Sequence, residues 1–194
     1  MCIPNKGILH IGAHICEEKS IYNMVGIDDS NILWIEGNPD LIPKDSINNI
    51  IQAVISNKDN EEVNFNITNN MQSSSILNLK THAIEHPNIT VIETRKLETI
   101  TLDTLFRNHN IPYDKYDFIN LDIQGAELLA LQGATKILPN IKAIYTEVNE
   151  KELYEGCCLL PDLENFLSIN GFERTAISMT QHGWGDALYM RKNI

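Results

Sequence analysis

Short apolar runs alternate along the chain with longer stretches of mixed polarity. The runs are residues 7–12 (GILHIG), 32–35 (ILWI), 50–55 (IIQAVI), 63–67, 116–121 (YDFINL), 141–148 (IKAIYTEV), 172–179 and 187–190. Near-continuous runs rich in β-branched residues predict strands buried on both faces. Helical spacing falls between them. Residues 16–24 mix polar and apolar positions at that spacing, and residues 101–108 (TLDTLFRN) open on Thr101 as a predicted N-cap. Residues 125–138 place Leu128, Leu129, Leu131 and Ile137 on one buried face, with Pro139 as the stop. Residues 161–170 begin at Pro161 and are followed by Gly171, the expected asymmetry of helix ends. Strand–helix alternation predicts an α/β, doubly wound, mostly parallel sheet. Residues 68–87 are the least regular, and long loops of this kind are often functional.

The chain has 194 residues, which suits one domain over residues 1–194. Its net charge is −11 with a pI near 4.9. Such a surface repels phosphate backbones, and the few Lys and Arg are scattered, so nucleic acid is not an expected partner. Cys2, Cys16, Cys157 and Cys158 contain no C-x-x-C spacing, which predicts reduced thiols and no zinc site. The N-terminus shows no signal-peptide pattern, and no stretch approaches the ~18 apolar residues of a membrane span. A cytoplasmic chain with no membrane partner is the expectation.

The first strand runs into Gly12-Ala13-His14, and in doubly wound folds ligands bind at the carboxyl ends of strands. A dinucleotide would want G-x-G-x-x-G here. The second and third glycines are absent, and Glu17 and Glu18 place negative charge where a pyrophosphate would sit. S-adenosylmethionine has no phosphate, and its ammonium and sulfonium tolerate nearby acids. Glu36, followed by Gly37, ends the second strand, where an acid can accept from both ribose hydroxyls. Ala53, at the end of the third run, would border the adenine.

IGAHICEE, WIEGNP, the triplet Ser73, Ser74 and Ser75, TLDTL, LDIQGAELLALQGA, EVNEKELYEG and GWGDALYMRK occur in this order. In these motifs the chain resembles the FkbM-like methyltransferases over nearly its whole length, most specifically at residues 121–134. The resemblance implies a seven-stranded, Rossmann-like class I methyltransferase sheet with an antiparallel last strand. It also implies S-adenosylmethionine as methyl donor, and O-methylation of sugars or other polyols. Carried over residue by residue, Gly12, Ala13 and His14 match the methionine-side loop, Glu36 the ribose acid, and Asp122 the acid ending the fourth strand. Three positions depart from the family pattern. His10 stands where an acid is usual, Cys16 where a glycine is usual, and Gln124 where Glu is frequent.

Methyl transfer from a sulfonium leaves a neutral thioether, so the enzyme must align the attacking oxygen and accept its proton. The inferred strand order gathers Asp122, Glu147 and Asp186 at one edge, together with Asn149, His182 and Trp184. Asp122 is the first candidate base, with Glu147 and His182 as further catalytic candidates. Asp122 could equally hold the donor's ammonium or cap the helix after it. Ser74 is assigned to the cofactor, and Ser75, Asn149, Trp184 and Asp186 to a small-molecule or glycan acceptor. Trp184 could stack on a sugar face or simply pack against the sheet. His10 reads as a core residue, Glu127 as structural, and His82 and His86 as surface or lid residues. The spacing of the acids is not diagnostic of a metal, and none is expected. Two other readings remain: a nucleotide-dependent oxidoreductase, and a cofactor-binding module without catalysis.

Overall fold

The computed structural model describes residues 6–42 and 49–192, so Cys2 lies outside the described residues. Its strands are β1 (Ile8–Ile11), β2 (Ile32–Glu36), β3 (Ile50–Gln52), β4 (Val54–Ile55), β5 (Glu62–Thr68), β6 (Val91–Ile100), β7 (Phe118–Leu121), β8 (Ala143–Asn149), β9 (Phe172–Met179) and β10 (Trp184–Arg191). The helices are α1 (Lys19–Met24), α2 (Thr81–Glu85), α3 (Leu102–Asn108), α4 (Glu127–Gln132) and α5 (Leu160–Ile169).

Seven strands form one sheet in the order β3-β2-β1-β7-β8-β10-β9. The neighbours from β3 to β8 pair in parallel, and β10 is antiparallel to both β8 and β9. This is the expected doubly wound α/β sheet with an antiparallel last strand. Side chains alternate across each strand. In β1, Leu9 and Ile11 join the core under α3, α4 and α5, with Phe106, Leu131 and Leu167. Ile8 faces the other side, where Tyr22 of α1 and Trp34 of β2 close a smaller core. Both faces are covered, which is why these strands read as continuous apolar runs.

Several expected elements take a different form. The run 50–55 is two strands in two sheets. At Ala53 the backbone N–H bonds Glu36 O at 2.9 Å, and the chain then turns to pair β4 with β6. The run 63–67 joins no parallel sheet. It forms β5, antiparallel to β6, in a three-stranded sheet of order β4-β6-β5. No apolar run announces β6, because most of its side chains face solvent. The first helix begins only at Lys19, after turns in which His14 and Cys16 adopt φ of 45° and 61°. The helix expected over 125–138 spans only α4 and ends at Gly133, where a Cβ would meet Ser56 O at 2.4 Å. Pro139 lies in the short 3-10 turn Leu138–Asn140. Thr101 does cap α3, its hydroxyl accepting from Thr104 N at 3.2 Å.

β1 sits at the point where the strand order reverses, paired in parallel with β2 on one side and β7 on the other. Beyond it, Gly12 N and Ala13 N both donate to Ile35 O, at 2.9 and 3.0 Å. Gly12 has φ of +91°, and a Cβ there would lie 1.7 Å from the carbonyl oxygen of Asp122. Only glycine satisfies both the left-handed backbone and this approach. We expect Gly12→Ala to lose roughly 2–5 kcal/mol of stability in urea titration. A midpoint equal to that of the wild type would show that the two loops are not pressed together as described.

Candidate functional site

The carboxyl ends of β1, β2, β4, β7 and β8 open into a cleft of about 450 Å³, within the roughly 300–1,000 Å³ typical of ligand pockets. Gly12 and His14 contribute from the first loop, Glu36 and Gly37 from the end of β2, and Asp122 and Gln124 from the loop after β7. Residues 70–76 and α2 supply the opposite wall.

Glu36 is buried, with each carboxylate oxygen fixed by a backbone N–H. Oε2 accepts from His14 N and Oε1 from Asn38 N, both at 2.7 Å. Burial raises its pKa, and these two bonds oppose the rise. The carboxylate thereby pins the glycine loop against the second strand while still lining the cleft. Beyond it Ala53, Val54, Ile55, Phe65 and Leu41 form an apolar slot.

Gln124 organises the opposite end. Its backbone sits at φ 56°, and its Nε2 donates to Asp122 Oδ1 at 2.5 Å and to Glu147 Oε2 at 3.1 Å. Its Oε1 accepts from the Tyr154 hydroxyl at 2.5 Å, and its carbonyl accepts from Ser75 Oγ at 2.8 Å. One amide therefore bridges two acids and ties them to the opposite wall. Asp122 opens onto the cleft, yet protein surrounds its carboxyl closely enough for desolvation to push it up to about 6, with the charges of Asp186, Glu18 and Glu17 adding to the rise. Glu147 is buried and raised well above the usual range, by desolvation first and then by the charge of Asp122. Glu127 is pushed up to about 7 by burial. Its Oε1 accepts from Ile123 N and Gly125 N, both at 3.0 Å, which is the structural role expected of it.

Most of the expected site residues come together here. Gly12, His14, Glu36, Gly37, Ala53, Ser74, Ser75, Asp122, Glu147 and Trp184 all line the cleft. Four do not. Ala13 is fully buried beneath the loop. Asn149 is buried behind Glu147 and donates to its Oε1 at 3.2 Å. Asp186 lies farther along the sheet, paired in register with Glu147 and hydrogen-bonded to Tyr145. His182 stands outside the cleft wall, beside His86 and 3.6 Å from Glu85 Oε2. The Ser75 hydroxyl is committed to the protein, since it also accepts from Leu77 N at 3.0 Å. His82 is not a surface residue: it is buried against Tyr154 and lines the cleft, as does His86.

Neither the bridging by Gln124 nor the contact of Tyr154 is legible in the motifs that contain them. Their importance comes from a left-handed turn and from a contact between residues 30 positions apart. His10 is a core residue, as read. Its Nδ1 lies 2.8 Å from the Tyr22 hydroxyl, and burial lowers its pKa to about 4, leaving it neutral at pH 7.

Five acids (Glu17, Glu18, Glu36, Asp122 and Glu147) line the cleft, and no Lys or Arg does so among the described residues. A pyrophosphate would find no countercharge. The walls fit S-adenosylmethionine: an apolar slot for the adenine, a fixed carboxylate for the ribose, and acids for the cationic methionine end.

Comparisons with known proteins agree. The family model described as "Methyltransferase FkbM domain" matches residues 10–174. Over 84 residues the chain is 33% identical to the 2-O-methyltransferase NoeI of Sinorhizobium fredii (strain NBRC 101917 / NGR234), covering 43% of this chain and 34% of that protein. The match thus spans about a third of that relative's length. The crystal structure of a magnesium protoporphyrin IX methyltransferase from Synechocystis PCC 6803 with bound SAM is similar at a TM-score of 0.48 and 9% identity, covering 98% of this chain and 72% of that one. That likeness is too distant to carry function.

Asp122, Glu127 and Glu147 all have folded-state pKa values above the unfolded ones. The stability they contribute is full at low pH and is lost as pH rises through the folded values. Glu147→Gln removes one of these charges. Its melting temperature should therefore gain on the wild type as pH rises from about 5 to about 8. A difference that stays constant across that range would show that Glu147 carries no raised pKa.

Proposed function

Because the chain belongs to the FkbM methyltransferase family, whose methyl donor is S-adenosylmethionine, we propose that it methylates a hydroxyl of a sugar or similar small polar acceptor. The observation that carries this reading is the bridged pair Asp122–Gln124–Glu147 at the carboxyl ends of β7 and β8. It offers a carboxylate, open to the cleft, with a pKa pushed to about 6. Such a group is ionised at neutral pH and is a stronger base than an ordinary aspartate. The name of the relative NoeI, a 2-O-methyltransferase, supports oxygen as the methylated atom.

S-adenosylmethionine, when bound, supplies an electrophilic methyl group and leaves as a neutral thioether. Gly12 would give the loop its close backbone approach to the donor, and Glu36 would accept from its ribose hydroxyls. Asp122 takes the proton of the attacking hydroxyl, while Gln124 fixes the carboxylate's orientation through Oδ1. Glu147, buried beside Asp122, has its pKa raised by desolvation and by the charge of Asp122. Trp184 is half-buried on the cleft wall, and its Nε1 is buried without a partner among the described residues. Its ring offers an acceptor a flat face at that wall, while the buried Nε1 is closed to it.

A screen of methyl transfer over free and glycosidically linked sugars, with mass analysis of the products, tests the reading. If S-adenosylhomocysteine binds but no hydroxyl acceptor is methylated, the chain is a cofactor-binding module and the proposal fails. With an acceptor in hand, Asp122→Asn should lower kcat/KM by roughly 10²–10⁴-fold. The wild-type rate should fall as pH drops below about 6, where Asp122 takes up its proton. A flat profile from about pH 5 to 8 would remove Asp122 as the base.

A further inference from the structure

Most polar side chains around the bridged acids are already spent on the protein. The amide of Gln124 serves Asp122, Glu147 and Tyr154. The Ser75 hydroxyl bonds Gln124 O and Leu77 N, and the Ser74 hydroxyl accepts from Thr68 N at 3.1 Å. The indole nitrogen of Trp184 is closed off. His82 of α2 stands apart. It lines the cleft and is only 6% exposed, and its ring makes no hydrogen bond among the described residues. Its Nδ1 is sealed in protein. Its Nε2 is neither bonded to protein nor sealed, so Nε2 is the nitrogen that reaches the cleft.

Two contacts place this ring. His82 N donates to Leu153 O at 3.2 Å, and the imidazole packs 5.5 Å from the Tyr154 ring, centroid to centroid. The Tyr154 hydroxyl in turn donates to Gln124 Oε1, and the same amide holds Asp122. His82 therefore belongs to the end of the cleft that carries the base. Desolvation, and then the charge of His86, lowers its pKa, so the ring is neutral at pH 7. A neutral imidazole has one N–H and one bare nitrogen, and a hydroxyl can meet either of them. It has no charge to offer a phosphate or a carboxylate.

We infer that His82 binds, through Nε2, a second hydroxyl of the acceptor while the hydroxyl to be methylated lies at Asp122. The inference rests on the hydroxyl-acceptor reading and narrows it. The acceptor carries at least two hydroxyl groups, and His82 selects by the one that does not react.

Methyl-transfer kinetics on methyl glycosides of the common hexoses and pentoses test it, together with monodeoxy analogues of the best substrate. With the wild type, one deoxygenation away from the methylated position should raise KM roughly 3- to 10-fold, the range for one neutral hydrogen bond, and leave kcat within about twofold. His82→Leu should raise KM for the parent sugar by a similar factor and should treat parent and analogue alike. His82→Phe, which keeps a ring against Tyr154, should do the same. His82→Gln, which keeps an N–H near the place of Nε2, should stay within about twofold of the wild type. All variants should bind S-adenosylhomocysteine within about twofold in calorimetry, and melting curves check that each is folded. Unchanged KM in the Leu and Phe variants overturns the inference, as does discrimination against the analogue that survives in them. Equal impairment by His82→Gln also overturns it, because the ring would then act by shape alone. So does weakened S-adenosylhomocysteine binding, since His82 would then support the whole cleft. If the wild type binds S-adenosylhomocysteine and methylates no sugar, the hydroxyl-acceptor reading itself falls.

Discussion

The backbone of Gly12 lies against the carbonyl of Asp122, and the geometry of the cleft follows from that approach. With a Cβ position 1.7 Å from that oxygen, no other residue allows β1 and β7 to stay paired to their ends. Because they do, the chain leaving β1 turns toward β2 while the chain leaving β7 turns the other way. The cleft opens between them. Glu36 then locks one side by accepting from His14 N, and Gln124 locks the other through Asp122.

The electrostatics follow from the same architecture. Strand ends buried in a sheet place their acids in protein, and desolvation raises each of them. Bridging Asp122 and Glu147 by an amide, and not by a third carboxyl, keeps the charge at this end lower and provides a donor to each partner. The cleft stays acidic without a single Lys or Arg on its wall among the described residues. That favours a cationic ligand over a phosphorylated one.

The parts of this legible in sequence are those where one residue's neighbours decide its fate. β1, β2, β7 and β8 read clearly because both faces are buried, and Glu36 and Asp122 read clearly because they end such strands. β6 was invisible because Val91, Ile92 and Glu93 face solvent, and its partner β5 lies about thirty residues upstream. The break at Ala53 was invisible because both halves of the run are apolar, and only a backbone bond to Glu36 O separates them. Asn149 and Asp186 were placed at the right edge, but their side chains turn to Glu147 and Tyr145 before reaching the cleft. The role of Gln124 required its φ of 56°, which no pattern of apolar residues encodes.

The wall formed by residues 70–76 and α2 is a detour inserted between β5 and β6, outside the seven-stranded sheet. It is tied to the rest of the cleft at named points: the Asn66–Ser75 and Leu79–Tyr154 bridges, the Ser75–Gln124 and Gln72–Glu17 bonds, the Tyr154 hydroxyl at Ser73 O, and Lys80 N and His82 N at Leu153 O. Substitutions there, away from those ties, can reshape that wall of the cleft, while the loop from Gly12 to His14 and its bond to Glu36 stay in place.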